Sequence, residues 1–445
     1  MSRRAFAAAL LIALAVRLAT LPLPGHEDVL NWKIWSYAAA RDVTGMYGVG
    51  GSPPTRGEVT WGDYTVAIDY PPFFLYECKL LGVAFETLYP GFPNNRALHL
   101  FVKLPVVIAS ALLTALLFWT VRRITGRDGP AMWVALAYWL NPATIVGGEM
   151  LGYVDPVCFL PAFGGLVLAY FRRPFWGGVL IAIGVATKPQ GILIGPAFAL
   201  ALWQAGGIAD VMRAGVTFAA TLVAVVMPYA FRGAMGNMWL ALGSLGPRRD
   251  SLSIYAANVG WIINWFLRSR MGVPEMGYRA FLQPVPRPLA ITRFRELGYP
   301  NPRPIATAAV VGSTAWAMWT ARRTRDLALT AAVGAFTVHA FFLMNTGVHE
   351  HHQLFEVSLL ALAASMRPRL RPLFFVVSGI VTLNINYIYG AGIGVGWIAP
   401  RMITGVDLSV LLAFFNIGVF VWFARLLARE AAAAAAVPAT SGSAA

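Results

Sequence analysis

The run FWGGVLIAIGVATKPQGILIGPAFALALWQ, residues 175–204, is almost unbroken apolar chain interrupted by Thr187-Lys188-Pro189-Gln190. It can be read as one long membrane span or as two short helices meeting at that interruption. The choice sets the sidedness of everything C-terminal to it. One span would flip everything downstream and put Arg322, Arg323 and Arg325 outside. A hairpin leaves Arg3-Arg4, Arg122–Arg127, Arg172-Arg173, Arg213, Arg322–Arg325, Arg367–Arg369 and Arg425–Arg429 on one face. Short cytoplasmic loops of membrane proteins carry such an excess of Lys and Arg. The hairpin is therefore the reading adopted.

Outward from this stretch, apolar runs near spanning length recur along the chain. With 58% hydrophobic and 12% charged residues and a mean hydropathy of +0.62, this is the pattern of a polytopic, all-α membrane protein. Hydropathy places about twelve spans near 5–21, 99–121, 130–146, 156–171, 175–187, 190–204, 213–231, 304–320, 327–344, 354–366, 371–389 and 405–426. Arg17 interrupts the first apolar run and no cleavage site comes after it, so that run reads as an uncleaved span. Residues 1–429 form one membrane domain. Its two large outer segments are 22–98, with helices expected near 28–42 and 73–89, and the Pro-rich 232–303. From Glu430 to Ala445 an Ala-rich, Ser/Gly-ended stretch reads as a disordered cytoplasmic tail.

The net charge of +15 would suggest nucleic acid in a soluble protein, but here the arginines border the spans and face lipid headgroups. Lysine scarcity beside abundant Arg, Ala and Gly is the composition of a GC-rich bacterial genome. The two cysteines, Cys78 and Cys158, form no CxxC pair and imply neither a disulfide framework nor a thiolate metal site. No glycine-rich nucleotide-binding unit of the GxGxxG type is visible.

The polar motifs gather on the outer side of this topology. In His26-Glu27-Asp28-Val29-Leu30-Asn31-Trp32-Lys33-Ile34-Trp35, a helix from Asp28 puts Asp28, Trp32 and Trp35 on one face. A carboxylate over two indoles suits gripping a polyol and taking a proton from it; a helix cap with an interfacial tryptophan belt is the plainer alternative. Asp69-Tyr70-Pro71-Pro72 fixes the entry to the second loop helix, and Gly152-Tyr153-Val154-Asp155 ends the third span with a second acid or a cap. Lys188 is an ionisable group in an apolar stretch, expected to be functional or to snorkel to the interface. Arg248-Arg249 precedes the Ser/Asn/Trp run 251–261, which contains Asn258, and two adjacent arginines can clamp a phosphate. In Thr346-Gly347-Val348-His349-Glu350-His351-His352-Gln353, helical spacing would put His349 and His352 on one face and turn His351 away. Three histidines around a glutamate invite a zinc reading, but without the HExxH pattern the cluster reads first as hydrogen-bond donors to sugar or phosphate, with no metal required.

Taken in order, these motifs resemble those of the polyprenyl-phosphate-sugar-dependent glycosyltransferases of the GT-C fold. The resemblance is greatest to bacterial mannosyltransferases related to the GPI mannosyltransferases, and extends to the ER glucosyltransferases that build lipid-linked oligosaccharide. It rests on Asp28 with Trp35 seven residues on, Asp69-Tyr70-Pro71-Pro72, Asp155, Lys188-Pro189-Gln190, the run 253–261 and His349-Glu350. The family pattern continues His-Glu with Arg or Lys, where this chain has His351.

The resemblance implies transfer of a hexose, mannose favoured, from a polyprenyl-phosphate donor to a lipid-linked or envelope-glycan acceptor. Transfer would be inverting, at the outer face of the bacterial cytoplasmic membrane, and without a cofactor. Asp28 would be the base. Glu27, Trp32, Trp35, Asp69, Tyr70, Asp155, Lys188, Arg248, Arg249, Asn258, His349 and Glu350 would bind substrate. A transporter or flippase of a lipid-linked saccharide is the competing expectation; it would place polar groups near mid-membrane and be built from repeats.

Overall fold

A computed structural model describes residues 1–49, 57–243, 250–270, 276–279, 283–286, 288–390, 392, 402–403 and 405–436. Its architecture is a helical bundle with a small, aromatic-rich unit at one end. Helix α1 (Arg3–Thr20) leads to α2 (Asp28–Asp42) and α3 (Pro72–Leu88), with a hairpin of β1 (Glu58–Trp61) and β2 (Tyr64–Ala67) between them. Asn95 then caps α4 (Arg96–Thr125), which stops at Gly126 in the left-handed region (φ 64°). The chain continues through α5 (Asp128–Trp139), α6 (Pro142–Thr144) and a π-helical turn (Ile145–Met150) to α7 (Asp155–Tyr170).

Residues 175–204 form a hairpin. Helix α8 (Pro174–Thr187) ends at Lys188, and the chain returns through a 3-10 segment (Pro189–Ile194) into α9 (Gly195–Phe231). Gly191 permits the return: a Cβ there would lie 2.8 Å from the Gly184 carbonyl carbon. Helix α9 is itself broken at Gly206 and Gly207, the latter at φ 64°, so the expected spans 190–204 and 213–231 are two helical segments.

After α10 (Met235–Gly243), α11 (Val259–Arg270), the β3–β4 hairpin (Met276–Arg279 and Gln283–Pro286) and α12 (Ile291–Glu296) come the last long helices. They are α13 (Pro302–Ala321), α14 (Leu327–Met344), α15 (Leu354–Met366), α16 (Arg371–Tyr389) and, after the short β5–β6 pair, α17 (Leu408–Ala435). Helix α14 is apolar and buried nearly all round, as befits the centre of a bundle. Among the described residues, five helical segments are long and apolar enough to cross a membrane: Arg96–Thr125, Pro189–Phe231, Leu327–Met344, Pro368–Tyr389 and Leu408–Ala435. Three shorter helices, α7, α8 and α15, are also apolar.

The arginines collect at one end of the bundle. Arg367 pairs with Asp326 (2.7 Å) and Glu430 (2.8 Å), Arg325 donates to the Tyr170 carbonyl (2.6 Å), and Asp128 holds Arg3 and Arg122. These contacts correct the expectation of a disordered tail from Glu430. Glu430 is buried against Arg367, and the alanines after it, the strongest helix formers, extend α17 to Ala435. Residues 437–445 lie outside the described residues.

At the opposite end, α2 and α3 pack so closely that a Cβ on Gly82 would meet the Ser36 carbonyl oxygen. Trp32, Trp35, Tyr70 and Phe74 fill the core of this unit with rings 4.8–6.4 Å apart.

Candidate functional site

The site lies where the ends of several helices meet the loop unit. Its entry is pinned by Lys103, whose ammonium donates to the carbonyls of Leu21 (3.0 Å), Leu23 (3.2 Å) and Met150 (2.9 Å). The His26 N–H donates to the Leu151 carbonyl at 2.7 Å, so α2 starts directly beside the turn at the end of the π-helical segment. That segment is anchored in turn by Arg17, fully buried and paired with Glu149 at 2.5 Å. An extra residue in a helical turn rotates the chain beyond it, and here it re-aims Tyr153 and Asp155.

Asp28 stands at the first position of α2 with its side chain about 35% exposed. Its carboxylate lies 3.3 Å from His26 Nδ1 and accepts from the Asn31 amide at 3.3 Å. Burial pushes this carboxyl upward; the charge and hydrogen bond of His26, with Lys188 and His349 beyond, outweigh it and hold the pKa at about 2. His26 is enclosed by Tyr153 and Tyr389, and its Nε2 lies 2.8 Å from the Tyr389 hydroxyl.

Behind Asp28 is a buried polar floor. Lys188 Nζ donates to Asp155 at 2.8 Å and lies 3.4 Å from His351 Nε2. Lys188 and Asp155 are 3% and 2% exposed, which rules out snorkelling and makes Asp155 the counter-ion of the lysine. Glu350 Oε1 accepts from the Tyr153 hydroxyl (2.6 Å) and faces His351 Nδ1 (3.2 Å). Gln190 meets His352 at 3.1 Å, and Asn384 donates to the Glu350 carbonyl at 3.2 Å.

The histidine segment is a turn, not a helix. Its backbone pairs with residues 251–255: Gly347 N–H donates to Ser251 O (3.0 Å) and Ile254 N–H to Val348 O (2.9 Å). The helical assignment of faces therefore fails. His349, Glu350 and His351 converge, with one donor atom from each within 4.8 Å of the others.

The other expected site residues divide clearly. Glu27 is exposed, its carboxylate 4.0 Å from His26, at the rim near Asp28. Trp32 and Trp35 do share a face, but they are 4% and 1% exposed inside the loop-unit core, so they neither form a surface belt nor line an opening. Asp69 is half-buried before α3, and Tyr70 packs on both indoles, bracing the loop from behind. Asn258 is wholly buried; it accepts from the Trp261 N–H and donates to the Phe342 carbonyl. The amide ties the start of α11 to α14 through both its ends, so it supports the fold and does not face substrate. Arg248 and Arg249 lie outside the described residues.

Sequence reasoning missed His26, Tyr389 and Asn384 as site residues, and it missed Lys103. Lys103, in the middle of an apolar run, carries the same signal as Lys188. Asn384 is legible as a polar residue in an apolar helix; Tyr389 carries no signal. Glu77 is a further, half-buried acid facing Thr187, and its burial, against a Thr187 hydrogen bond, raises its carboxyl to about 8.

The site thus joins one open, firmly ionised carboxylate to a buried lysine–histidine floor, an arrangement that can accept a proton on one side and meet an anion on the other. Neither protein-family models nor curated proteins match the sequence.

Proposed function

We propose that the chain is a multi-pass membrane glycosyltransferase of the GT-C kind. It would pass twelve times through the bacterial cytoplasmic membrane and move a hexose, mannose in the first instance, from a polyprenyl phosphate to a lipid-linked or envelope acceptor. The observation that carries the reading is Asp28, a partly exposed carboxylate 3.3 Å from His26, kept ionised chiefly by His26 and also by Lys188 and His349. The arginine clusters at the other end of the bundle support this reading: by the positive-inside rule that end would be cytoplasmic and the site would face outward. Nucleotide sugars are cytosolic, so a donor presented there is a lipid phosphate.

In this mechanism the acceptor hydroxyl attacks C1 of the sugar while the C1–phosphate bond breaks on the opposite face. Lys188 and His349 meet the charge that develops on the departing phosphate. Asp28 takes the hydroxyl proton. A carboxylate held near 2 is a weak base, so the proton moves late, once bonding to C1 has made the acceptor oxygen acidic. His26 keeps the carboxylate oriented.

The deciding experiment gives membranes containing wild type or Asp28→Asn a polyprenyl-phosphate mannose and an envelope lipid acceptor. Loss of transfer in the variant, with donor still bound, supports the assignment; turnover close to wild type removes Asp28 from the base role.

One observation favours the second reading, a flippase of lipid-linked saccharide. His339 and Glu356 form a fully buried pair (2.9 Å) within α14 and α15, and Gln353, next to His352, donates to Glu356. Ionisable pairs inside spans often mark transport routes. Saccharide crossing sealed proteoliposomes with no bond broken would select that reading.

A further inference from the structure

The carboxylates of the site outnumber its fixed cations. Among the described residues, the ion pairs of Asp28, Asp155 and Glu350 run only to Lys188 and to histidines. Glu350 is 0% exposed, and its Oε2 has no hydrogen-bond partner among the described residues. A buried carboxylate oxygen left this way is costly unless a cation or a proton satisfies it.

The groups placed to supply that cation are at hand. His349 Nδ1 is 4.0 Å from Glu350 Oε2, and His351 Nδ1 is 3.2 Å from Oε1. His349 is about 25% exposed, on the open side, whereas Glu350 and His351 are buried beneath it. Two imidazoles and one carboxylate form a donor set suited to Zn²⁺, and a site with three protein ligands keeps a position open for a further oxygen.

We propose that His349, Glu350 and His351 bind a divalent transition ion, Zn²⁺ by its donor preference, with the open position on the His349 side. A double positive charge would bring Asp28, Asp155, Glu350 and Lys188 together to neutrality. Lys188 keeps Asp155. An oxygen of a phosphate group is the ligand chemistry the open position would take. Only that identity of the ligand rests on the glycosyltransferase reading.

The test uses full-length, tag-free protein in detergent, stripped with EDTA and re-equilibrated with Zn²⁺ or Mn²⁺ alone. Metal analysis after desalting is expected to find about one Zn²⁺ per chain, with a melting temperature that rises on adding the ion. Glu350→Gln and His349→Ala are expected to lose the bound ion and the thermal shift, while His99→Gln, distant in sequence, keeps both. If a variant fails to fold, X-ray absorption of the wild-type ion, showing two imidazoles with oxygen donors, carries the test. Stoichiometry well below one, or binding that both site variants leave unchanged, overturns the proposal. No transfer reaction enters these readouts, so a failure of the enzymatic reading leaves them intact.

Discussion

Replacing Lys188 by Met separates what the lysine does for the fold from what it does for chemistry. Its ammonium and the Asp155 carboxylate are 2.8 Å apart, with side chains only 4% and 3% exposed. The lysine bonds Asp155 Oδ2, while Oδ1 has no hydrogen-bond partner among the described residues, so the lysine is the carboxylate's side-chain partner. Removing one member of a buried pair leaves an uncompensated charge and typically costs about 3–5 kcal/mol. Replacing both members with apolar residues of similar volume is often neutral or stabilising, by about 1–4 kcal/mol. Lys188→Met alone is therefore expected to lower stability strongly, and Lys188→Met with Asp155→Leu to recover most of it. The assay is thermal or denaturant unfolding of the detergent-solubilised proteins, completed as a double-mutant cycle, alongside donor binding. If Lys188 meets the phosphate, the stable double variant still fails to bind donor. A single variant within about 1 kcal/mol of wild type would refute the reasoning, because a buried carboxylate cannot lose its cation at so small a penalty. A double variant that binds donor normally would refute the phosphate role and leave the structural one.

Other perturbations have equally definite outcomes. Arg17→Leu should destabilise by about 3–5 kcal/mol, because Glu149 stays buried without its cation; proteolysis of membranes read against wild type checks it. Gly191→Ala should cost on the order of 1–3 kcal/mol by overpacking against the Gly184 backbone and prise open the α8–α9 return, seen as increased labelling of a cysteine introduced in place of Gln190. The Asp28 carboxyl sits at about 2 against an ordinary 3.8, so its ionised form is favoured by folding. The stability it adds is complete above about pH 4 and disappears as pH falls through 2. The melting-temperature gap between wild type and Asp28→Asn should thus close only as pH falls below about 4; a gap that stays fully open down to pH 2 would show that the carboxyl is not held low in this way.

Much of the helical plan is legible because it depends on local signals. Each expected span contains a helix, and the break within 175–204 falls where Thr187-Lys188-Pro189-Gln190 interrupts the apolar run. Compositional simplicity misleads at the end of α17, where it suggests disorder although alanine is the residue that holds a helix with least help. The β1–β2 hairpin in the first loop is not anticipated either, although Gly62 (φ 58°) gives it its turn.

What the sequence by itself determined is the alternation of apolar helices and the gathering of arginines at one end of them, since both arise from the free energy of transferring single segments and charges into lipid. Tertiary structure alone decided which polar groups meet. The strand-like pairing of residues 347–349 with 251–255 makes a bend of the expected helix and brings His351 toward His349 and Glu350. The close packing of α2 on α3 buries Trp32 and Trp35, which the spacing alone offers as a sugar platform, and leaves Asp28 at the opening. Lys188 finds Asp155 across thirty-three residues, and His26 finds Tyr389 across the chain. Such contacts depend on how separate helices dock, and a spacing rule within one helix carries no information about them.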